Sequence, residues 1–209
     1  SEQGIVVVQS AGNEPNNIYS LNGYGGTRNG ITVGALTQDL KSVQGRSSFG
    51  PTTDLRIKPD LVAPGQNVPT TLVQTEGYTT TSGTSIAAPY VAGVAALILQ
   101  KHPGWTPEMV KAAMMNTAVP LESNRLWGQG AGSVNKDRAV ATNFLAMPPS
   151  LSFGQLTGDR SGLHTITVHN VGAEALSIQL STETSIYSGQ SWPQNNDTAT
   201  GTKIGTTNL

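Results

Sequence analysis

The hydrophobic pattern of the first part of the chain predicts short parallel strands. Residues 4–9 form a continuous run rich in β-branched side chains, and residues 31–35 and 60–64 are two further short apolar runs. Runs of this kind are typical of strands buried on both faces of a parallel sheet that helices flank. The intervening segments are rich in Gly, Asn, Ser, Thr and Pro, so we expect loops rather than strands to carry any chemistry.

Two helices are predicted after these strands. Residues 90–100 are apolar on all sides, which predicts a central helix that is buried on every side and that ends at Pro103. Thr106 is suited to cap a second helix, with Pro107 at its first position and Glu108 in its first turn. We expect this second helix to run to about residue 117 and to be amphipathic and peripheral.

After Pro148 and Pro149 the pattern changes to the period of β-strands. Residues 163–169 and 175–180 alternate apolar and polar positions around a turn at 170–173, which predicts a β-hairpin. Two strands cannot bury a face alone, so we expect residues 146–209 to be the start of a β-sandwich module that is cut off before its remaining strands. Residues 1–145 then form an α/β parallel-sheet domain.

The composition excludes several classes of function. The 209 residues carry a net charge of -1 with 12% charged side chains, so nothing supports binding to nucleic acid or to an anionic membrane surface. The longest apolar run, residues 91–99, is shorter than the roughly 18 residues that a membrane span needs. The first residues lack the basic and apolar regions of a signal peptide. We therefore expect no membrane span and see no targeting segment.

The residues most suited to catalysis are Ser85 and Asn13. Ser85 is predicted in the first turn of the apolar helix, where unpaired backbone N–H groups and the positive end of the helix dipole favour negative charge. An isolated serine at a helix start is more often a cap. Asn13, however, follows directly on the first predicted strand, at the carboxyl end of the sheet, where α/β proteins gather ligand groups.

Four segments resemble, in order and spacing, the later half of the catalytic domain of the subtilisin-like serine proteases, or subtilases. They are Gly12 followed by Asn13, Ile-Thr-Val-Gly-Ala at residues 31–35, Pro-Asp-Leu-Val-Ala-Pro-Gly at residues 59–65 and Gly-Thr-Ser-Ile-Ala-Ala-Pro at residues 83–89. The resemblance covers roughly residues 1–142, and residues 47–60 look most like the larger multidomain secreted members. It implies a subtilisin-like segment followed by a module similar to fibronectin type III domains.

The resemblance implies a serine endopeptidase that cleaves polypeptide substrates through an acyl-enzyme. Ser85 would be the nucleophile, and the side-chain amide of Asn13 together with the Ser85 backbone N–H would bind the oxyanion. The expected substrate-binding positions beside them are Gly12, Ser82, Gly83 and Thr84.

One departure from the family pattern is large. In subtilases the catalytic Asp and His precede the oxyanion Asn and the Ser along the chain, but no Asp or His precedes Asn13 here. We therefore expect these residues to be an internal piece of a longer protein, whose missing N-terminal half supplies both groups, and we expect the isolated chain to be inactive. His102 is no replacement, because a continuous helix would put it roughly 25 Å from Ser85. His164 and His169 fall on opposite faces of a predicted strand and are expected to be solvated.

Two other functions stay open at this point. Residues 83–87 approximate the nucleophile elbow of an α/β-hydrolase esterase, with Asp137 and His164 in the order of its Asp and His, although residues 79–82 make a poor strand before the serine. A non-catalytic pseudoprotease or binding scaffold would account for the missing Asp and His. The intact motifs around Ser85 and Asn13 favour the protease.

The resemblance also bears on metals and location. Many subtilases bind structural calcium, but this sequence has no Asp-rich ligand loop, so a calcium site stays open without named ligands and no other cofactor is expected. The three histidines have no metal-ligand spacing. The secreted relatives imply that the protein is secreted or displayed on the cell surface.

Overall fold

The computed structural model describes residues 3–14, 17–72, 76–122, 126–153, 164–178, 180–187 and 199–206. The chain divides into two compact units, Ser1–Gly172 and Ala173–Leu209. The strands of the first unit are β1 (Val8–Ser10), β2 (Ile31–Leu36), β3 (Leu61–Pro64), β4 (Val68–Thr71), β5 (Tyr78–Thr81), β6 (Phe144–Met147) and β7 (Thr167–Asn170). Its helices are α1 (Thr84–Lys101), α2 (Pro107–Asn116), α3 (Leu126–Gln129) and α4 (Lys136–Ala141).

The centre of the first unit is a parallel sheet in the order β1-β2-β3. Val8 pairs with Ile31 and Val33 pairs with Leu61, so the carboxyl ends of the three strands meet at one end of the sheet. β2 is buried along its whole length. The predicted α/β parallel-sheet fold is confirmed, and the loops that leave these carboxyl ends lie where ligand groups gather.

β1 differs from its prediction. Of the predicted strand at residues 4–9, the regular part is Val8–Ser10, which is half-buried. The side chain of Ile5 is 61% exposed. Within the described residues β1 is an outer strand that pairs with β2 alone. The expectation of burial on both faces is therefore wrong for this strand, whose three residues are each only half-buried.

α1 packs across the sheet. Ala87, Val91 and Ile98 are fully buried in the core that α1 shares with the strands. The opposite face is open, since Tyr90 is 40% and Leu97 is 46% exposed. The prediction of a helix buried on every side is therefore wrong for the part of the chain that the structure describes. By length and hydropathy alone α1 would pass as a membrane span, but its packed face is that of a core helix.

α2 begins as the sequence predicts. The Thr106 hydroxyl accepts a hydrogen bond from the Met109 N–H at 3.3 Å, and Pro107 is the first helical residue. The expectation of a peripheral helix is wrong, because the consecutive residues Ala112, Ala113, Met114 and Met115 are all buried, so burial is not confined to one face. α2 contacts α1, α4 and β6 and is part of the core.

The end of the first unit corrects the predicted hairpin. β7 pairs antiparallel with β6, with His169 opposite Leu145, whereas residues 175–178 form no strand. Leu145 is fully buried, so the core already holds β6 in place as a partner for β7. The carbonyl of Asn143 accepts hydrogen bonds from the N–H groups of Val171 and Gly172 at 2.8 and 3.0 Å. The first unit therefore continues past residue 145.

The second unit is described by two strands, β8 (Leu180–Tyr187) and β9 (Ala199–Thr206). They pair antiparallel, with Leu180 opposite Thr206. A single pair of strands is not a sandwich, so the β-sandwich module over residues 146–209 stays a prediction. Residues 163 and 179 of the predicted hairpin lie outside the described residues.

Candidate active site

The loop after β1 carries Asn13 to the carboxyl end of the sheet. The Ala11 N–H donates to the carbonyl of Val33 at 2.9 Å, which extends the pairing with β2 by one residue. Gly12 then turns with a φ of +116°, and a Cβ atom there would lie 2.7 Å from Ser48 Oγ. Glycine is the residue that fits this turn, which leaves Asn13 exposed.

Thr84 connects this loop to the start of α1. Its backbone N–H donates to Asn13 Oδ1 at 2.9 Å. Its hydroxyl accepts from the Gly12 N–H at 3.2 Å and lies 3.0 Å from Asn13 Oδ1 and 3.1 Å from Gly12 O, which share its single proton. Thr84 is fully buried, so water does not compete for these bonds. Because Asn13 Oδ1 accepts from both donors of Thr84, the amide nitrogen Nδ2 is left as the group of Asn13 that can donate to another acceptor.

Gly83 leaves an open space at the helix start. Its φ is +148°, and its N–H donates to the carbonyl of Gly65 at 2.7 Å. A Cβ atom on Gly83 would lie 3.2 Å from Asn13 Oδ1, 3.3 Å from Ser85 Oγ and 3.4 Å from Asn13 Nδ2. One point in space is therefore in contact with the candidate nucleophile and with both polar atoms of the Asn13 amide, and the absence of a side chain keeps that point free.

The first turn of α1 leaves a second donor beside this space. The Ile86 N–H donates to Gly83 O at 3.0 Å, and the Thr84 N–H is taken by Asn13. Within the described residues, neither the N–H nor the hydroxyl of Ser85 makes a hydrogen bond. A negatively charged oxygen in the space would meet the Ser85 N–H, Asn13 Nδ2 and the positive end of the helix dipole.

Ser82 has a different environment from the other predicted site residues. Its hydroxyl is exposed and accepts a hydrogen bond from the Asn67 N–H at 2.9 Å. The structure brings together five of the predicted site residues, namely Gly12, Asn13, Gly83, Thr84 and Ser85. The substrate contacts expected of Gly12, Ser82, Gly83 and Thr84 stay predictions.

The histidines lie away from Ser85 in the part of the chain that the structure describes. His102 follows the last residue of α1, at the opposite end of the helix, and stacks on Trp105 with ring centroids 3.9 Å apart. His169 lies on β7 opposite β6, and His164 lies just before that strand. A base for Ser85 is therefore not found among the described residues.

The geometry gives no support to the esterase arrangement. The strand before Ser85 is β5, which pairs antiparallel with β4 and does not belong to the parallel sheet. A nucleophile elbow needs a strand of the central sheet at that place. Asp137, the predicted acid of that arrangement, forms an exposed ion pair with Lys136 at 2.7 Å.

A buried ionic cluster beside β3 was missed by the sequence analysis. Asp60 Oδ2 lies 2.5 Å from Lys58 Nζ, and Asp60 Oδ1 lies 2.9 Å from Lys111 Nζ. The side chains of Lys58 and Asp60 are 3% and 4% exposed. Burial and, less strongly, the nearby Lys111 lower the pKa of Lys58 to about 8 in spite of the attraction of Asp60. The sequence feature that could have indicated this cluster is a lysine and an aspartate two residues apart, directly before a fully apolar strand.

The described residues offer little to a metal ion. Among them, no group of three or more His, Asp or Glu side chains could hold one, so structural calcium stays a prediction without ligands. A cleft of about 500 Å³ is lined mainly by loop residues and includes Gln9, Asn22, Tyr24 and Arg56. Its lining contains no acidic side chain.

Comparison with known proteins shows which family this chain is similar to. The model of the subtilase family matches residues 1–137. The minor extracellular protease Vpr of Bacillus subtilis (strain 168) is 38% identical over 138 residues, which cover 59% of this chain and 17% of Vpr. The serine protease AprX of the same organism is 36% identical over 156 residues, which cover 66% of this chain and 35% of AprX.

A solved structure shows the same kind of fold. Fervidolysin from Fervidobacterium pennivorans, a keratinolytic enzyme related to subtilisin, matches with a TM-score of 0.55 and 29% identity over 66% of this chain and 23% of fervidolysin. This chain spans 17% and 35% of the lengths of Vpr and AprX. The family match nevertheless covers more than half of this chain and includes Asn13, Thr84 and Ser85. This chain belongs to the subtilase family.

Proposed function

We propose that the protein containing this chain is a serine endopeptidase with Ser85 as its nucleophile. The observation that carries the proposal is the orientation of Asn13. Thr84 occupies Asn13 Oδ1, so Asn13 Nδ2 and the Ser85 N–H remain as two donors around the space beside Ser85 Oγ. Two converging donors next to an exposed hydroxyl are what the stabilisation of a tetrahedral oxyanion requires.

In this mechanism Ser85 Oγ attacks the carbonyl carbon of the scissile peptide bond while its proton passes to a base. The carbonyl oxygen becomes an oxyanion that accepts hydrogen bonds from Asn13 Nδ2 and the Ser85 N–H. The leaving amine takes the proton as the C–N bond breaks, which leaves an acyl-enzyme ester on Ser85. Water, deprotonated by the same base, then hydrolyses the ester and frees Ser85.

The base is proposed to come from a polypeptide segment other than the described residues. Within these residues Ser85 Oγ has no hydrogen-bond partner. The family resemblance implies that an Asp and a His precede Asn13 and Ser85 in the whole catalytic domain. The partner of this chain is then the N-terminal half of the same domain, and the chain alone is inactive.

Extended polypeptides are the proposed substrates. Gly12 and Gly83 present bare backbone at the site, which allows another main chain to approach closely, and Ser82 and Thr84 flank it. The net charge of -1 gives no reason to propose a nucleic acid or an anionic membrane as a partner. The extracellular location in the name of the relative Vpr supports secretion.

The test uses the full-length protein and a peptide substrate with a chromogenic leaving group. Ser85→Ala should abolish turnover. Asn13→Ala should lower kcat by about 10²–10³-fold, which is the loss found for the oxyanion asparagine of subtilisin itself. The isolated chain should release no Ser85-dependent burst of product from an activated peptide ester.

The control for these variants is His164→Ala, which should keep full activity because His164 lies before β7 and its ring packs edge-on against Phe153. A loss as large as that of Ser85→Ala would favour the esterase arrangement instead. Turnover that survives Ser85→Ala would disprove the nucleophile assignment. A folded full-length protein without turnover would favour the binding scaffold.

A further inference from the structure

The loop that leads into β2, which includes Asn22, Gly25 and Gly30, supports the backbone from which Asn13 projects. The Asn22 N–H donates to the carbonyl of Ala11 at 3.2 Å, and the Gly25 N–H donates to Asn22 O at 2.8 Å. A Cβ atom on Gly25 would lie 3.0 Å from Ala11 O, so the loop touches the residue two positions before Asn13. Displacement of Asn22 or Gly25 therefore disturbs the backbone that carries Gly12 and Asn13.

The hydroxyl of Thr32 holds this loop. It donates to Gly25 O at 2.9 Å and accepts from Lys58 Nζ at 3.0 Å. Thr32 is fully buried within β2. Because a charged ammonium group can only donate, the hydroxyl proton must point toward Gly25 rather than toward Lys58. The charge on Lys58 thus determines the direction in which Thr32 donates.

The ionic cluster fixes Thr32 through its backbone as well. Asp60 Oδ2 accepts from the Thr32 N–H at 2.7 Å and from Lys58 Nζ at 2.5 Å. Lys111 Nζ, which pairs with Asp60 Oδ1, also donates to Gly30 O at 3.0 Å. The cluster therefore holds the loop both at its middle, through Thr32, and at its end, through Gly30.

We infer that Thr32 is a positioning residue for the candidate oxyanion site, and that its hydroxyl, oriented by Lys58, locks the loop that fixes Asn13. Thr32 acts through Gly25 and Asn22 and does not face the space beside the nucleophile. The role of Thr32 in catalysis rests on the proposed function. The coupling of Thr32 to Asn13 is a property of this chain and is measurable without activity.

The first experiment measures amide hydrogen exchange by NMR in the full-length protein that contains this chain. Thr32→Val removes the hydroxyl with little change of shape and leaves Gly25 O without its donor, so exchange at the Asn22 and Gly25 N–H groups should accelerate about tenfold. The resonances of the Asn13 side-chain amide should shift. Thr32→Ser restores the hydroxyl and should restore both signals. Thr37→Val is the matched control, since it removes a hydroxyl bonded to a backbone carbonyl at 3.0 Å just after β2, and should change neither.

The second experiment uses the charge on Lys58. The charged groups around it are Asp60, which favours its ammonium form, and Lys111 and Arg56, which disfavour it together with burial. These effects lower the pKa of Lys58 to about 8. A neutral Lys58 amine can accept the hydroxyl proton of Thr32, so it competes with Gly25 O for that proton as the pH rises through this value.

In the unmodified chain we expect the Gly25 N–H and the Asn13 side-chain amide to titrate together with a midpoint near pH 8. Lys58→Met should abolish the titration. The α-amino group at the start of a polypeptide also titrates near pH 8, and it is still present in Lys58→Met, so loss of the titration in this variant would exclude it as the source. Thr32→Val should abolish it at Asn13. A titration that still reaches Asn13 in Thr32→Val, or exchange rates in Thr32→Val equal to those of Thr37→Val, would overturn the inference.

Failure of the proposed function would give a different pattern. If the Ser85→Ala variant of the full-length protein stays active, the assignment of the nucleophile is wrong, but the coupling of Thr32 to Asn13 is still present. If the coupling is absent and Ser85→Ala is inactive, the proposed function stands and Thr32 has no positioning role.

Discussion

Thr84 and Asn13, 71 residues apart in the chain, are joined through a single acceptor atom, Asn13 Oδ1, which lies 2.9 Å from the Thr84 N–H nitrogen and 3.0 Å from its hydroxyl oxygen. Thr84 is fully buried and Asn13 is exposed, so an interior residue sets the orientation of a surface amide. A freely rotating Asn13 would also present its oxygen to the site, and that oxygen would repel an oxyanion. The start of α1 thus preorganises the candidate site.

Thr84→Val should weaken this preorganisation, because only the backbone N–H of residue 84 would still donate to Asn13 Oδ1. The buried Gly12 N–H would lose its acceptor, so we expect the free energy of unfolding to fall by about 1–3 kcal/mol. The NMR signals of the Asn13 side-chain amide should broaden as the amide begins to rotate. Thr84→Ser keeps the hydroxyl and should lose about 1 kcal/mol, the value of one buried methyl group. Urea unfolding compares the two variants, and a smaller loss in Thr84→Val than in Thr84→Ser would show that the hydroxyl contributes less than the methyl group.

Gly83→Ala should damage the site. Its φ of +148° is strained for any residue with a side chain, and the new Cβ atom would enter the space between Asn13 and Ser85. We expect a loss of about 1–3 kcal/mol in unfolding free energy. Gly93→Ala is the control within α1, because a Cβ atom there meets nothing within 4 Å, and it should stabilise this chain by up to about 1 kcal/mol. Thermal unfolding separates the two, and a stabilised Gly83→Ala would contradict the argument.

The framework of the site is predictable from the sequence where it rests on local patterns. The apolar runs predict β2 and β3, and the cap at Thr106 predicts the start of α2. Each of these predictions needs only a few consecutive residues. The pairing of Asn13 with Ser85 is different, because it comes from the resemblance of four motifs, in order and spacing, to the subtilase family.

Contacts between distant segments are not predictable in this way. The orientation of Asn13 depends on Thr84, and the partner that Lys111 finds in Asp60 lies in another element. Isolated charged residues are mostly exposed, so their spacing does not mark a buried cluster. The pairing of β7 with β6 depends on Leu145, whose burial is a property of the whole core.

Asp60→Asn should be far more damaging than the same change at Asp54. Asp60 is 4% exposed and faces two ammonium groups, those of Lys58 and Lys111, which would be left without a counter-charge. We expect a loss of about 3–5 kcal/mol in unfolding free energy. Asp54 is 39% exposed in its pairs with Arg28 and Arg56, where water screens the charges, so its replacement should cost much less than that of Asp60. Urea unfolding at pH 7 compares the variants, and equal losses would mean that the cluster is effectively solvated.

Lys58 should make this chain more stable in alkaline solution. Its pKa is about 8 in the folded chain and 10.5 in an unperturbed lysine, so between these values the unfolded state binds more protons than the folded state. The free energy of unfolding then rises with pH by at most about 1.4 kcal/mol per pH unit, and the penalty for burying the charge is fully present below pH 8. Lys58→Met has no such group and should lack this rise, whereas the exposed control Lys136→Met should retain it. Urea unfolding between pH 7.5 and 10 therefore tests the cluster directly, in buffers of about 0.1 M ionic strength that screen surface charges. A parallel rise in Lys58→Met would assign the effect to other groups.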